Sequence, residues 1–149
     1  MNLFTRHFTI RWSDVDANGH MRNTAYSELC SDTRVALLAE GSFPWDRFEA
    51  LGLGPVLLRE TIAYRREAAL GEDVRVDVRA AGLSPDGARW LLRHRMRNSD
   101  GERMATVTVL GGWIDFRARR LVVPPPGLAA VFEATRRTQS FVELPPLRR

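Results

Sequence analysis

The chain has 149 residues, 44% hydrophobic and 27% charged, which is the size of one domain with its own core and excludes disordered, collagen-like and coiled-coil chains. All 22 basic side chains are arginine, yet 18 acidic residues hold the net charge to +4, and the arginines are scattered rather than grouped with aromatics, which argues against a nucleic-acid partner. Cys30 is the only cysteine, so disulfide frameworks and cysteine metal clusters are excluded, and no apolar run approaches the roughly 20 residues of a membrane span. No secretory pattern opens the chain, and a cytoplasmic protein is expected.

Residues 3–12 alternate Phe4, Phe8, Ile10 and Trp12 against Leu3, Thr5, His7, Thr9 and Arg11, interrupted at Arg6, and predict a strand. Ser, Asp, Asn and Gly crowd the next ten residues and predict a structured loop. From Thr24 to Glu40 the period lengthens. Tyr26, Leu29, Cys30, Thr33 and Leu37 form one stripe, Glu28, Asp32 and Arg34 lie off it, and Gly41 ends an amphipathic helix. Cys30 reads as a small buried hydrophobe with no basic residue at helical spacing to activate it.

Residues 42–54 read as irregular. Four strands follow, at 55–66, 73–81, 88–98 and 103–116, with turns at Gly71 and in the runs SPDG and NSDG. Val56, Leu58, Ile62 and Tyr64 share a face of the first of these, with Glu60 intruding. A short helix is expected after the prolines at 124–126, and 136–149 reads as a loose tail. The sum is one α+β domain over 1–149, an antiparallel five-stranded sheet wrapped around one long helix. Its arginine-rich face is left to solvent or to another subunit.

Chemistry concentrates in Trp12–Tyr26, WSDVDANGHMRNTAY, where Asp14, Asp16, Asn18, His20 and Asn23 precede the helix. A loop feeding a helix start offers free N–H groups and the positive end of the dipole to a developing oxyanion, and a carboxylate beside it can act as base or nucleophile. Asp14, Asp16, Asn18 and Gly19 imitate the opening of a calcium loop, but its twelfth position is Ala25 instead of a bidentate Glu. His7, His20 and His94 form no short-spaced pair, so no metal site is expected.

This segment, with a strand before it and a long helix after it, resembles the active-site region of hotdog-fold thioesterases, both the 4-hydroxybenzoyl-CoA thioesterase family and the plant acyl-ACP thioesterases. The resemblance implies a hotdog fold and hydrolysis of an acyl-CoA or acyl-ACP thioester, with coenzyme A entering only as part of the substrate. By the same resemblance Asp16 is the catalytic carboxylate, Asn18 and His20 assist it, and the backbone amide near Asn23 polarises the thioester carbonyl. Asn23 also reads as a helix N-cap. Arg22 stands where it could shape the acyl pocket, Tyr26 belongs to core or pocket wall, and Glu60 to the surface or to a neighbouring subunit's site. A homodimer or homotetramer is implied. A dehydratase or hydratase of the same fold, and a non-catalytic acyl-CoA-binding module, are the alternatives.

Overall fold

A computed structural model describes residues 3–148. The first strand, β1 (Phe4–Thr9), leads through a tight turn at Trp12–Asp14 to the long helix α1 (Asn23–Glu40). A second helix, α2 (Trp45–Leu51), precedes β2 (Leu53–Tyr64), β3 (Asp73–Leu83), β4 (Arg89–Arg97) and β5 (Arg103–Asp115). The chain ends with β6 (Arg120–Leu121), α3 (Pro126–Glu133) and β7 (Arg137–Glu143). The main sheet runs β1-β3-β4-β5-β2 with every pair antiparallel. Those are the five expected strands; β6 adds to β5, and β7 joins β3 in parallel. No helix among the described residues is long and apolar enough to cross a membrane.

The alternation read from the sequence is realised strand by strand. In β4 the side chains of Trp90, Leu92, His94 and Met96 are buried, and the arginines between them are half-exposed on the other face. Val74, Val76 and Val78 of β3 with Val107 and Val109 of β5 complete the inner face under α1. At one end of the sheet Trp90, Trp113 and Phe132 meet with ring centroids 5.4–5.9 Å apart, and Phe48 stacks on Trp113 at 6.1 Å. Gly111 makes that cluster possible, because a Cβ there would come within 2.2–2.6 Å of three Trp90 ring carbons.

Four expectations are corrected. Residues 45–51 are helical rather than irregular: Pro44 fixes the entry, Gly52 at φ +70° closes the exit, and Phe48 anchors the turn in the aromatic cluster. The tail is not loose, because β7 bonds along Ala80–Leu83, Leu144 N–H reaches Leu83 O at 2.9 Å, and Leu147 N–H reaches Asp86 Oδ2 at 2.9 Å. Arg34 is buried on the inner side of α1 instead of lying off the stripe, where its Nη1 meets His94 Nε2 at 2.9 Å. Cys30 therefore does have a basic neighbour one helical turn away, yet burial dominates and pushes its thiol up to about 12.

Candidate active site

The loop between β1 and α1 is folded by its own polar groups. Asp14 is buried, and its carboxylate accepts the Arg11 amide at 2.9 Å and Arg11 Nε at 3.2 Å, while Arg22 N–H donates to the Asp14 carbonyl at 2.7 Å. The Arg11 side chain holds the Asp14 carboxyl below its ordinary range. Asp14 is thus spent on structure.

Asp16, two residues on, is exposed. Its Oδ1 accepts the Asn18 amide at 2.9 Å, and the loop closes through Gly19 N–H to Asp16 O at 3.0 Å and Asp16 N–H to His20 O at 2.9 Å. Gly19 takes φ +76°, a conformation that strains any residue with a Cβ. Asp16 Oδ2 has no hydrogen-bond partner among the described residues, and the side chain lines an open groove of about 360 Å³.

Asn18, His20, Asn23 and Tyr26 line the same groove, so five of the seven residues singled out from the sequence come together. His20 Nε2 lies 3.0 Å from Glu67 Oε2, which sets the ring against the β2–β3 loop. The Tyr26 hydroxyl donates to Arg66 O at 3.2 Å, its ring meets Tyr64 edge-on at 5.0 Å, and burial pushes its phenol up. Helix α1 begins at Asn23 with no side chain capping its first turn. The N-cap is Arg22 rather than Asn23, and Asn23 is the first helical residue. The positive end of an 18-residue helix therefore opens beside the carboxylate.

Arg22 and Glu60 stand apart from the groove. The Arg22 guanidinium donates to Ser13 O at 3.1 Å, to Thr24 Oγ1 and to both Glu28 oxygens at 2.9 and 3.2 Å, which ties down the helix entrance. Glu60, exposed on β2, accepts a short hydrogen bond from Ser27 Oγ further along α1. The opposite wall of the groove is Tyr64, Arg65, Arg66 and Glu67, none of which the sequence reading singled out as site residues. The signal was the charged run RRE at the end of a predicted strand, directly after an aromatic.

A five-strand antiparallel sheet around one long helix, with an acidic loop at the helix entrance, defines the chain as a hotdog-fold protein of the thioesterase class. It belongs to the thioesterase-like superfamily, whose family model matches residues 10–132. The L-carnitine dehydrogenase/betainyl-CoA thioesterase of Agrobacterium fabrum is 31% identical over 128 residues, 86% of this chain. The chain spans about a quarter of that protein, 25% of its length. A Staphylococcus aureus protein solved in complex with CoA superposes with a TM-score of 0.83 at 23% identity, covering 92% of this chain and 87% of that one. A 1,4-dihydroxy-2-naphthoyl-CoA thioesterase from Synechocystis gives 0.80 at 13% identity, covering 89% and 97%.

Proposed function

We propose that the protein hydrolyses an acyl-CoA thioester to a free acid and coenzyme A, with Asp16 as its catalytic carboxylate. The observation that carries this reading is one groove holding both an unpartnered carboxylate oxygen and the uncapped start of a long helix. With the thioester carbonyl oxygen at the α1 entrance, its carbon becomes electrophilic, because the amide at Asn23 and the helix dipole stabilise the charge that develops.

Asp16 Oδ2 then takes a proton from water as the hydroxide adds to the carbonyl carbon. The tetrahedral intermediate collapses, the carbon–sulfur bond breaks, and the thiolate recovers the proton. Direct attack by Asp16 leads to the same products through a mixed anhydride that water cleaves. Asn18 holds Asp16 through its amide, and His20, braced by Glu67, faces the same space and orients the water. Arg65, which makes no ion pair among the described residues, and Arg66, paired with Glu102 at 2.9 Å, put positive charge on the rim where the phosphates of coenzyme A would enter. The relatives named for CoA substrates and the CoA complex support that carrier over acyl carrier protein.

Assembly as a homodimer belongs to the same reading. Among the described residues strand β2 has one unpaired edge and exposes Leu57, Leu58 and Tyr64, surface that a second copy would cover. The test is thiol release from a panel of aliphatic and aromatic acyl-CoAs that includes a 2-enoyl-CoA, with products identified by mass. Free acid and coenzyme A are expected. No thiol release at micromolar enzyme from any member overturns the proposal, and a hydroxyacyl thioester as product assigns the protein to the hydratases.

A further inference from the structure

Helix α1 and strand β2 run in opposite directions along a shared seam. At one end the Tyr64 hydroxyl approaches Asn23 O at 3.5 Å; in the middle Ser27 meets Glu60; at the other end Ser31, Arg34 and Val35 face Val56 and Leu57. That far end opens into a second cavity, of about 130 Å³, walled by Leu38, Pro55, Trp90 and Phe132 as well. Its lining is apolar except for Ser31 and one charge, Arg34.

Arg34 is 7% exposed, and no carboxylate lies within ion-pair distance of it among the described residues. Its Nη1 donates to His94 Nε2 at 2.9 Å. His94 Nδ1 in turn donates to the Asp77 carbonyl at 2.9 Å, which leaves Nε2 as the lone-pair acceptor and the ring neutral. The guanidinium is therefore aimed but not neutralised. Of the acidic groups around it, Glu60 is held by Ser27 and favours the Arg34 charge from beyond ion-pair distance, while the Asp77 carboxylate accepts Arg95 N–H at 2.9 Å and Arg79 at 3.4 Å on the outer side of the sheet. Buried charges are ordinarily paired, and a buried guanidinium facing an apolar cavity is a fork waiting for a planar anion.

We propose that Arg34 binds a carboxylate at the distal end of the acyl group, so that the substrate is a mono-CoA thioester of a dicarboxylic acid. The inference rests on the thioester reading of the Asp16 groove. Eleven residues of α1 separate Asn23 from Arg34, about 16 Å of helix axis, and the side chain leans back toward the amino end, which shortens the span to one that a chain of methylenes bridges. The apolar walls take the methylenes, and the guanidinium takes the terminal charge.

The test compares equal-length pairs in the intact protein: adipyl- with hexanoyl-CoA, suberyl- with octanoyl-CoA, and sebacyl- with decanoyl-CoA. The expected result is a kcat/KM at least tenfold higher for the carboxylate member at the best length. Arg34→Met should bring the ratio to about one, and Arg34→Lys should keep part of it. Turnover of the neutral member as fast as its carboxylate partner in the unmodified protein overturns the proposal while leaving the hydrolase reading intact. Calorimetric titration of the same intact thioesters decides the remaining case. Tighter binding of the carboxylate member without thiol release upholds Arg34 and refutes hydrolysis, and equal binding of both members refutes Arg34 as well.

Discussion

Replacing Asp16 with Asn separates chemistry from folding. Asp16 is exposed, and the one hydrogen bond its side chain makes among the described residues runs from the Asn18 amide to Oδ1 at 2.9 Å, an acceptor that Asp16→Asn retains. The stability change should therefore stay within about 0.5 kcal/mol, the usual range for a surface substitution, or about 1–2 °C in Tm for a chain of this size. Turnover should respond far more. The basic oxygen is gone, and a positioned general base contributes about a hundredfold to ten-thousandfold, or roughly 3–5 kcal/mol of barrier. Asp16→Ala removes the acceptor too and should cost about 1 kcal/mol more in stability, with the same collapse in kcat. Thiol release at saturating acyl-CoA, paired with thermal unfolding followed by circular dichroism, measures both quantities. A kcat for Asp16→Asn within threefold of the parent would refute the catalytic role. A Tm loss above about 5 °C would show that the carboxylate charge serves the fold, against its exposure and its single hydrogen bond.

Three further outcomes follow from buried groups. Burial, aided by the nearby Arg34 charge, pushes His94 down to about 3, so the native protein leaves unprotonated a ring that the unfolded chain protonates near 6.5. Stability should be complete above about pH 6.5 and should fall as the pH drops toward 3, by up to about 1.4 kcal/mol per unit; denaturant melts that stay flat between pH 6.5 and 4.5 would contradict this. With its thiol pushed up to about 12, Cys30 should resist alkylation at pH 8 until the protein unfolds, and labelling within minutes in native buffer is the contrary result. Gly111→Ala should cost about 1–3 kcal/mol by overpacking the Trp90 ring, and a Tm loss under 1 °C would show that the ring can move aside.

The central strands β3, β4 and β5 were legible because each has one face buried on the side of α1, and burial on one face writes a period of two into the sequence. Strand β4 is the clearest instance, with every second residue buried. The loop was legible for a different reason: Asp, Asn and Gly occur together where side chains must bond backbone, as Asp16, Asn18 and Gly19 do. What escaped was whatever depends on a distant partner. Helix α2 is seven residues long, too few for a period to declare itself, and exists because Phe48 finds Trp113. Strand β7 pairs with β3 some sixty residues away, and an exposed strand at a sheet margin carries no alternation to betray it. Arg34 violated its stripe because its partner, His94, also lies sixty residues distant, and a charge on the inner side of a helix looks from sequence like an error of phase. In the groove, the loop and helix residues were found together, while the Tyr64–Glu67 wall was visible only once β2 had been laid against α1.

The two margins of the sheet are unequal. On one side β1 offers six residues studded with Arg6 and His7, and β7 takes over the next stretch of the same β3 edge in the opposite sense to β1, a broken and charged border that discourages annealing. On the other side β2 presents twelve residues without interruption by another segment. Among the described residues β2 is thus the margin better suited to lateral strand addition, and two molecules joined through it would each be left with the broken, charged border alone. A particle built that way would carry its own stopping rule: the joint closes on a twofold axis, and further backbone growth would meet a border that discourages it.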